Sequence, residues 1–206
     1  MQSFLDGVVY MKPLSYFSSL EKDPERADIR EGDSLWIRGA TLSIGSKVGM
    51  NGPVIPIGGL IDPIRFRDSE LEKQNVFCIF ALDGDLQNTG LNSRLFDFGD
   101  TFVVITQSDE FLNRIMQAAK EIGQEVRAQR VTYVDEKSYH GNVGPFVKSN
   151  VYSHQVEFRV VLRPGGGHPV CLHIGDIRDI TVAGEAKDLP ERLAFDPKTG
   201  QLMVRN

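Results

Sequence analysis

At 206 residues, with 41% hydrophobic and 25% charged side chains, the chain has a globular composition and enough length to bury a core without disulfides or a structural metal. A net charge of −5 gives no excess of cations for non-specific nucleic-acid binding, which rests on neutralised phosphates. The opening, MQSFLDGVVYMK, lacks the basic start and long apolar stretch of a signal peptide, and no run nears the roughly 20 apolar residues that span a bilayer. A cytoplasmic protein with no membrane association is therefore expected. Cys78 and Cys171 each sit inside an apolar run, which predicts two buried thiols in a reducing compartment and rules out a four-thiolate zinc site.

In chain order, Gly7–Lys12 reads as a strand running into a short helix, with Pro13 in the first turn and Leu14, Phe17 and Leu20 at helical spacing. The charge-dense stretch from Glu21 to Asp33 has no apolar period and reads as a long loop. Between Leu35 and Arg67, Leu35–Arg38, Thr41–Ile44, Val54–Ile57 and Pro63–Arg67 are candidate short strands, and Asn51-Gly52 is a hairpin-type turn. Val76–Leu82 and Thr101–Thr106 are continuous apolar runs of strand length, expected to be central strands buried on both faces.

The clearest helix follows. Ser108 is its predicted cap, Asp109 and Glu110 suit the positive end of its dipole, and Gly123 ends it. Phe111, Ile115, Ala118 and Ile122 line one face, flanked by Leu112, Met116 and Ala119. Val126–Val134 reads as a strand, and Val156, Phe158, Val160 and Leu162 alternate with polar residues in a half-buried one. Gly165-Gly-Gly167 reads as a hairpin loop. Val170–His173 and Ile177–Val182 are strands, Leu189–Leu193 a short helix, and a last hairpin turns through Asp196–Gly200. Helices this few and irregular do not suit a doubly wound parallel sheet. The expected fold is a single α+β domain over residues 1–206, with a curved or split, mostly antiparallel sheet.

Phosphate-loop, dinucleotide, zincin and nucleophile-elbow motifs are absent. His140, His154, His168 and His173 have no metal-ligand spacing, so no metal is expected. Two stretches carry unexplained polar chemistry. The first is Arg26-Ala-Asp-Ile-Arg-Glu-Gly32, either a binding loop or a solvated loop with internal ion pairs. The second is Tyr152-Ser-His-Gln-Val-Glu-Phe-Arg159, where alternation puts Glu157 and Arg159 on one strand face about 7 Å apart. In a cleft, such an acid orients a ribose hydroxyl or acts as a base, and the arginine fork holds phosphate or carboxylate. The alternative is an exposed face carrying a cross-strand salt bridge.

The order of these segments resembles the DUF2971-like family of bacterial and phage proteins. Arg26-x-Asp-x-x-Glu31-Gly32 is similar to its early acidic-glycine turn, and Phe77-Cys78-Ile-Phe80 to its mid-chain strand. Gln155-Val-Glu157-Phe-Arg159, preceded by Phe146-Val-Lys148, is similar to its late acidic strand, and Leu172–Ile180 to its last strand. The chain departs from the pattern at Asp97, where the family tends to carry a histidine, at Gln155 for a glutamate and at Phe158 for a tryptophan.

A strand-borne glutamate with early basic residues is in turn similar in outline to ADP-ribosyltransferase toxins, which bind NAD in a cleft of a split sheet. What this implies is NAD as the cofactor, with Glu157 acting on the ribose. Arg26, Arg94 or Arg159 would hold the pyrophosphate, and Glu31, His154 and Gln155 would complete the site. Tyr10 is read either as a core tyrosine or as a platform for a base. The competing expectation is a non-catalytic phage or prophage protein that contacts a host or defence protein.

Overall fold

A computed structural model of the chain describes residues 1–20, 28–38, 43–47, 49–59, 63–82, 91, 93–195 and 202–204. Within them the fold is mixed α+β, with mostly antiparallel sheets and no closed barrel. A short helix α1 (Gln2–Leu5), which the sequence reading lacked, leads into β1 (Val8–Pro13) and α2 (Leu14–Ser18). The run β2 (Asp33–Ile37), β3 (Ser43–Lys47), β4 (Val54–Gly59) and β5 (Ile64–Arg67) follows, then α3 (Ser69–Glu72), β6 (Asn75–Phe80) and β7 (Thr101–Ile105). The long helix α4 (Ser108–Glu121) precedes β8 (Glu125–Arg130), β9 (Thr132–Val134), β10 (Gly141–Asn142), β11 (Val147–Ser149) and β12 (Glu157–Arg163). The chain closes with β13 (Val170–His173), β14 (Thr181–Glu185), α5 (Leu189–Arg192), β15 (Leu193–Phe195) and β16 (Leu202–Val204).

The central sheet has the order β13-β1-β6-β12-β8. All its pairs are antiparallel. Because β12 pairs with β6 and β8 while β13 pairs with β1, the glycine loop at 165–167 is a crossover past two strands and not a hairpin. β1 is split between two neighbours: it pairs β13 over Val8–Met11 but β6 only at Lys12 and Pro13. The sheet is thus divided on one side of that contact, with Tyr10 opposite Cys171 on the first half and Cys78 opposite Arg159 on the second.

One face of the sheet is apolar. Val9, Met11, Val160, Leu162 and Leu172 pack there against Phe111, Ile115, Ala118 and Ala119 of α4. Phe4 joins them, its ring stacked on Phe77 at 5.6 Å and edge-on to Phe111 at 6.0 Å. Helix α4 starts one residue earlier than a Ser108 cap requires: Gln107 is the cap, and it makes no side-chain capping bond. Met116 and Ile122 lie exposed on its outer side, because a helix on one sheet buries only one stripe. β7 is not a central strand; it pairs only β14 among the described residues, so its apolar run is half-buried. The final hairpin is present as β15 and β16, and its turn lies outside the described residues.

The second face differs along its length. Near β12 it carries a smaller apolar cluster of Leu14, Val76 and Val161, with Phe17 and Phe146 against it. Toward β13 it is open: Tyr10 is 50% exposed, which overturns its reading as a core residue. Both cysteines are also exposed, contrary to the buried thiols expected. Strand alternation explains this, since Cys78 and Cys171 have the opposite parity from Phe77 and Leu172, which face α4.

Candidate functional site

The turn at 28–33 is held by main-chain bonds from Glu31 N to Asp28 O and from Asp33 N to Arg30 O, each 3.0 Å. The Asp28 carboxylate accepts from Arg30 N at 2.9 Å, an Asx-type closure. Gly32 sits at φ +91°, and a Cβ there would come 2.6 Å from Cγ of Glu72. The acidic-glycine sequence is therefore a geometric device that turns Glu31 inward. Glu31 and Asp28 are buried while Ile29 is 67% exposed, the reverse of a solvated charged loop.

Glu31 meets β12. Arg159, 2% exposed, grips its carboxylate with both terminal nitrogens, Nη1 at 3.1 Å and Nη2 closer still. Arg159 Nε donates to Glu157 at 2.6 Å, and Nη1 also to the Pro145 carbonyl at 2.7 Å. Lys148, buried on β11, donates to Glu157 at 2.8 Å and to Gln155 at 2.7 Å, and its ammonium lies 4.7 Å from the Tyr152 ring centre. Four of the predicted residues, Glu31, Gln155, Glu157 and Arg159, thus form one network closed by Lys148. The open-face alternative, an exposed cross-strand salt bridge, does not hold, because Glu157 and Arg159 pair along one strand in a largely buried setting.

The electrostatics follow from burial and pairing. Burial alone would raise the Glu157 carboxyl, but Arg159 and Lys148 outweigh it and bring the group down to about 2. Burial would lower Arg159, yet Glu31 and Glu157 hold it well above its ordinary value. Asp28 has a backbone donor and, among the described residues, no cation bound to it, so burial, with Glu31 adding to it, raises its carboxyl. Cys78 touches solvent but is walled by protein, and that desolvation pushes its thiol up to about 12. At neutral pH it is a thiol and a poor nucleophile.

The backbone entering β12 is strained. Val156 adopts φ 40°, ψ 52°, a left-handed conformation that a β-branched residue rarely takes. On either side of it Gln155 and Glu157 both reach Lys148. Of the other predicted residues, Arg94 lies at the surface with Nη1 3.4 Å from His154 Nδ1, just before the strained residue in the chain. Arg26 lies outside the described residues. Asp28, Tyr133 and Cys78 were missed as site residues. An isolated tyrosine in a Thr-Tyr-Val run carries no signal of what it faces, and Lys148 surfaced only through the resemblance.

No group of three or more acidic, histidine or cysteine side chains suited to a metal ion occurs among the described residues. No helix among them is long and apolar enough to cross a membrane. Fold and site together describe an α+β protein with a divided sheet and a buried charge network beside the division. No family model, curated protein or solved structure matches the chain.

Proposed function

We propose that the protein binds NAD or a related nucleotide where the central sheet divides, and acts on its glycosidic bond in the manner of an ADP-ribosyltransferase or hydrolase. One observation carries the reading: an ionised Glu157 stands next to the open Cys78 position, beside the gap between β1 and β6. A carboxyl near 2 is too weak a base to take a proton at neutral pH, so of the two roles open to Glu157 the electrostatic one is favoured. Its two oxygens each accept one bond from the network, which leaves lone pairs for ribose hydroxyls.

In this reading the C1′–N bond breaks and nicotinamide leaves with the electron pair. Glu157 stabilises the oxocarbenium ion, and water or an acceptor hydroxyl adds and releases a proton. Arg159 is committed to Glu31, Glu157 and Pro145, so its part is to position Glu157. A bacterial or phage toxin or defence factor, as the DUF2971-like motifs imply, belongs to the same proposal.

Calorimetry with NAD tests it. Saturable binding to the wild type that weakens in Glu157→Gln, with both proteins folded, supports the reading, and absence of heat from the folded wild type refutes it. A second reading, a non-catalytic protein that contacts a host or phage partner, draws on the self-sufficiency of the network. Lys148 and Arg159 are paired with Glu31 and Glu157 within the chain.

A further inference from the structure

Glu157 is fixed at its side chain by two cations and at its main chain by a third group. Its N–H donates to the hydroxyl of Tyr133 at 2.9 Å. In an undisturbed ladder this N–H would find a carbonyl, but the preceding residue is the left-handed Val156 and the ladder is interrupted there. Tyr133 reaches the position from β9, which runs parallel to β11 with Tyr133 directly beside Lys148. Two neighbouring side chains on adjacent parallel strands therefore converge on Glu157, Lys148 at a carboxylate oxygen and Tyr133 at the backbone nitrogen.

A phenol both accepts and donates. The Tyr133 oxygen is used as an acceptor, whereas its own hydrogen has no acceptor among the described residues. Tyr133 as a residue is half-buried. Its titration agrees with a donor role: burial is the main cause that pushes the phenol up to about 12, and it keeps its hydrogen at neutral pH. An unspent O–H donor thus stands at the main chain of a residue whose carboxylate has unspent lone pairs. That combination fits a neutral group that gives a hydrogen bond to Glu157 and takes one from Tyr133, as a sugar hydroxyl does.

We propose that Tyr133 is a ligand-contacting and positioning residue of this site, holding the Glu157 main chain through its oxygen and donating its hydroxyl hydrogen to a hydroxyl oxygen of the bound ribose. The proposal rests on the nucleotide reading given above and adds to it a residue and a direction of hydrogen bonding.

The test is titration of NAD into the wild type and Tyr133→Phe, which keeps the ring and removes the hydroxyl. Melting curves and tyrosine difference absorption are recorded on the same samples. A lost hydrogen bond weakens NAD affinity about three- to tenfold. NAD should also perturb tyrosine absorption in the wild type, and the variant should lack that component. A lowered melting temperature with unchanged NAD affinity means that the hydroxyl serves the fold alone and overturns the proposal. A silent tyrosine spectrum at saturating NAD overturns it without reference to any variant. Failure of NAD to bind the wild type removes the nucleotide reading and this role together, an outcome distinct from equal binding by both proteins.

Discussion

The two faces of β12 solve the same problem by different physics. Val160 and Leu162 face α4 and are fully buried among apolar neighbours, so each contributes through area removed from water and close packing. Glu157 and Arg159, on the other face of the same strand, are nearly as buried but are held by charge-assisted hydrogen bonds. An apolar face tolerates small rearrangements, whereas a buried ionic face tolerates none of its members being removed alone. Such a face is retained at a cost in desolvation, and that is why it draws attention as a site.

The largest effects should separate the faces by their couplings. Phe111→Ala empties a packed position and should destabilise by about 3–5 kcal/mol. Arg159→Ala strands Glu31 and Glu157 and should cost a similar amount, about 3–5 kcal/mol in chemical denaturation. Glu31→Gln combined with Arg159→Met should then cost clearly less than the sum of the two single changes, because each removes the charge that the other leaves unpaired. Strict additivity in that cycle would mean that the network is not a unit.

A smaller effect is the dependence on pH. The folded pKa of Glu157, about 2, lies below its ordinary 4.5, so its contribution is present above 4.5 and is lost as pH falls through about 2. Asp28 has the opposite sign: its raised pKa means that the folded state holds a proton longer, and stability falls as pH rises from 3.8 through the folded value. Asp28→Asn should therefore stabilise at neutral pH and give no such gain below 3.8. A gain independent of pH would show that ionisation of Asp28 is not the cause. The smallest effect concerns Val156, whose left-handed backbone should be relieved in Val156→Gly by about 1 kcal/mol, read as a higher denaturant midpoint. A lower midpoint would assign the backbone there no strain.

Much of the frame was legible because it depends on local pattern. The alternation over 156–163 identified β12, and the spacing of Phe111, Ile115 and Ala118 identified α4. The acidic-glycine turn and the Gln-x-Glu-x-Arg strand were both singled out, and the structure brings them together. What covers a face was not legible. Alternation shows that Glu157 and Arg159 share a side, but it takes the turn at 28–33 and the segment at 143–155, among the described residues, to make that side an interior. The same limit misplaced Cys78, Cys171 and Tyr10, whose apolar neighbours in sequence face α4 while they do not. The crossover at 165–167 was missed because a glycine-rich loop looks alike whether its flanking strands pair or pass each other.

Cys78 offers the most direct test of a ligand at the division of the sheet, with Cys171 as an internal control on the other half. The measurement is the rate of modification of each thiol by a small organomercurial, which also reacts with the protonated thiol, resolved by peptide mass spectrometry, with and without NAD. A ligand seated beside Glu157 should slow modification of Cys78 several-fold and leave the rate at Cys171 unchanged. Equal rates at Cys78 with and without saturating NAD would contradict a nucleotide site at that position.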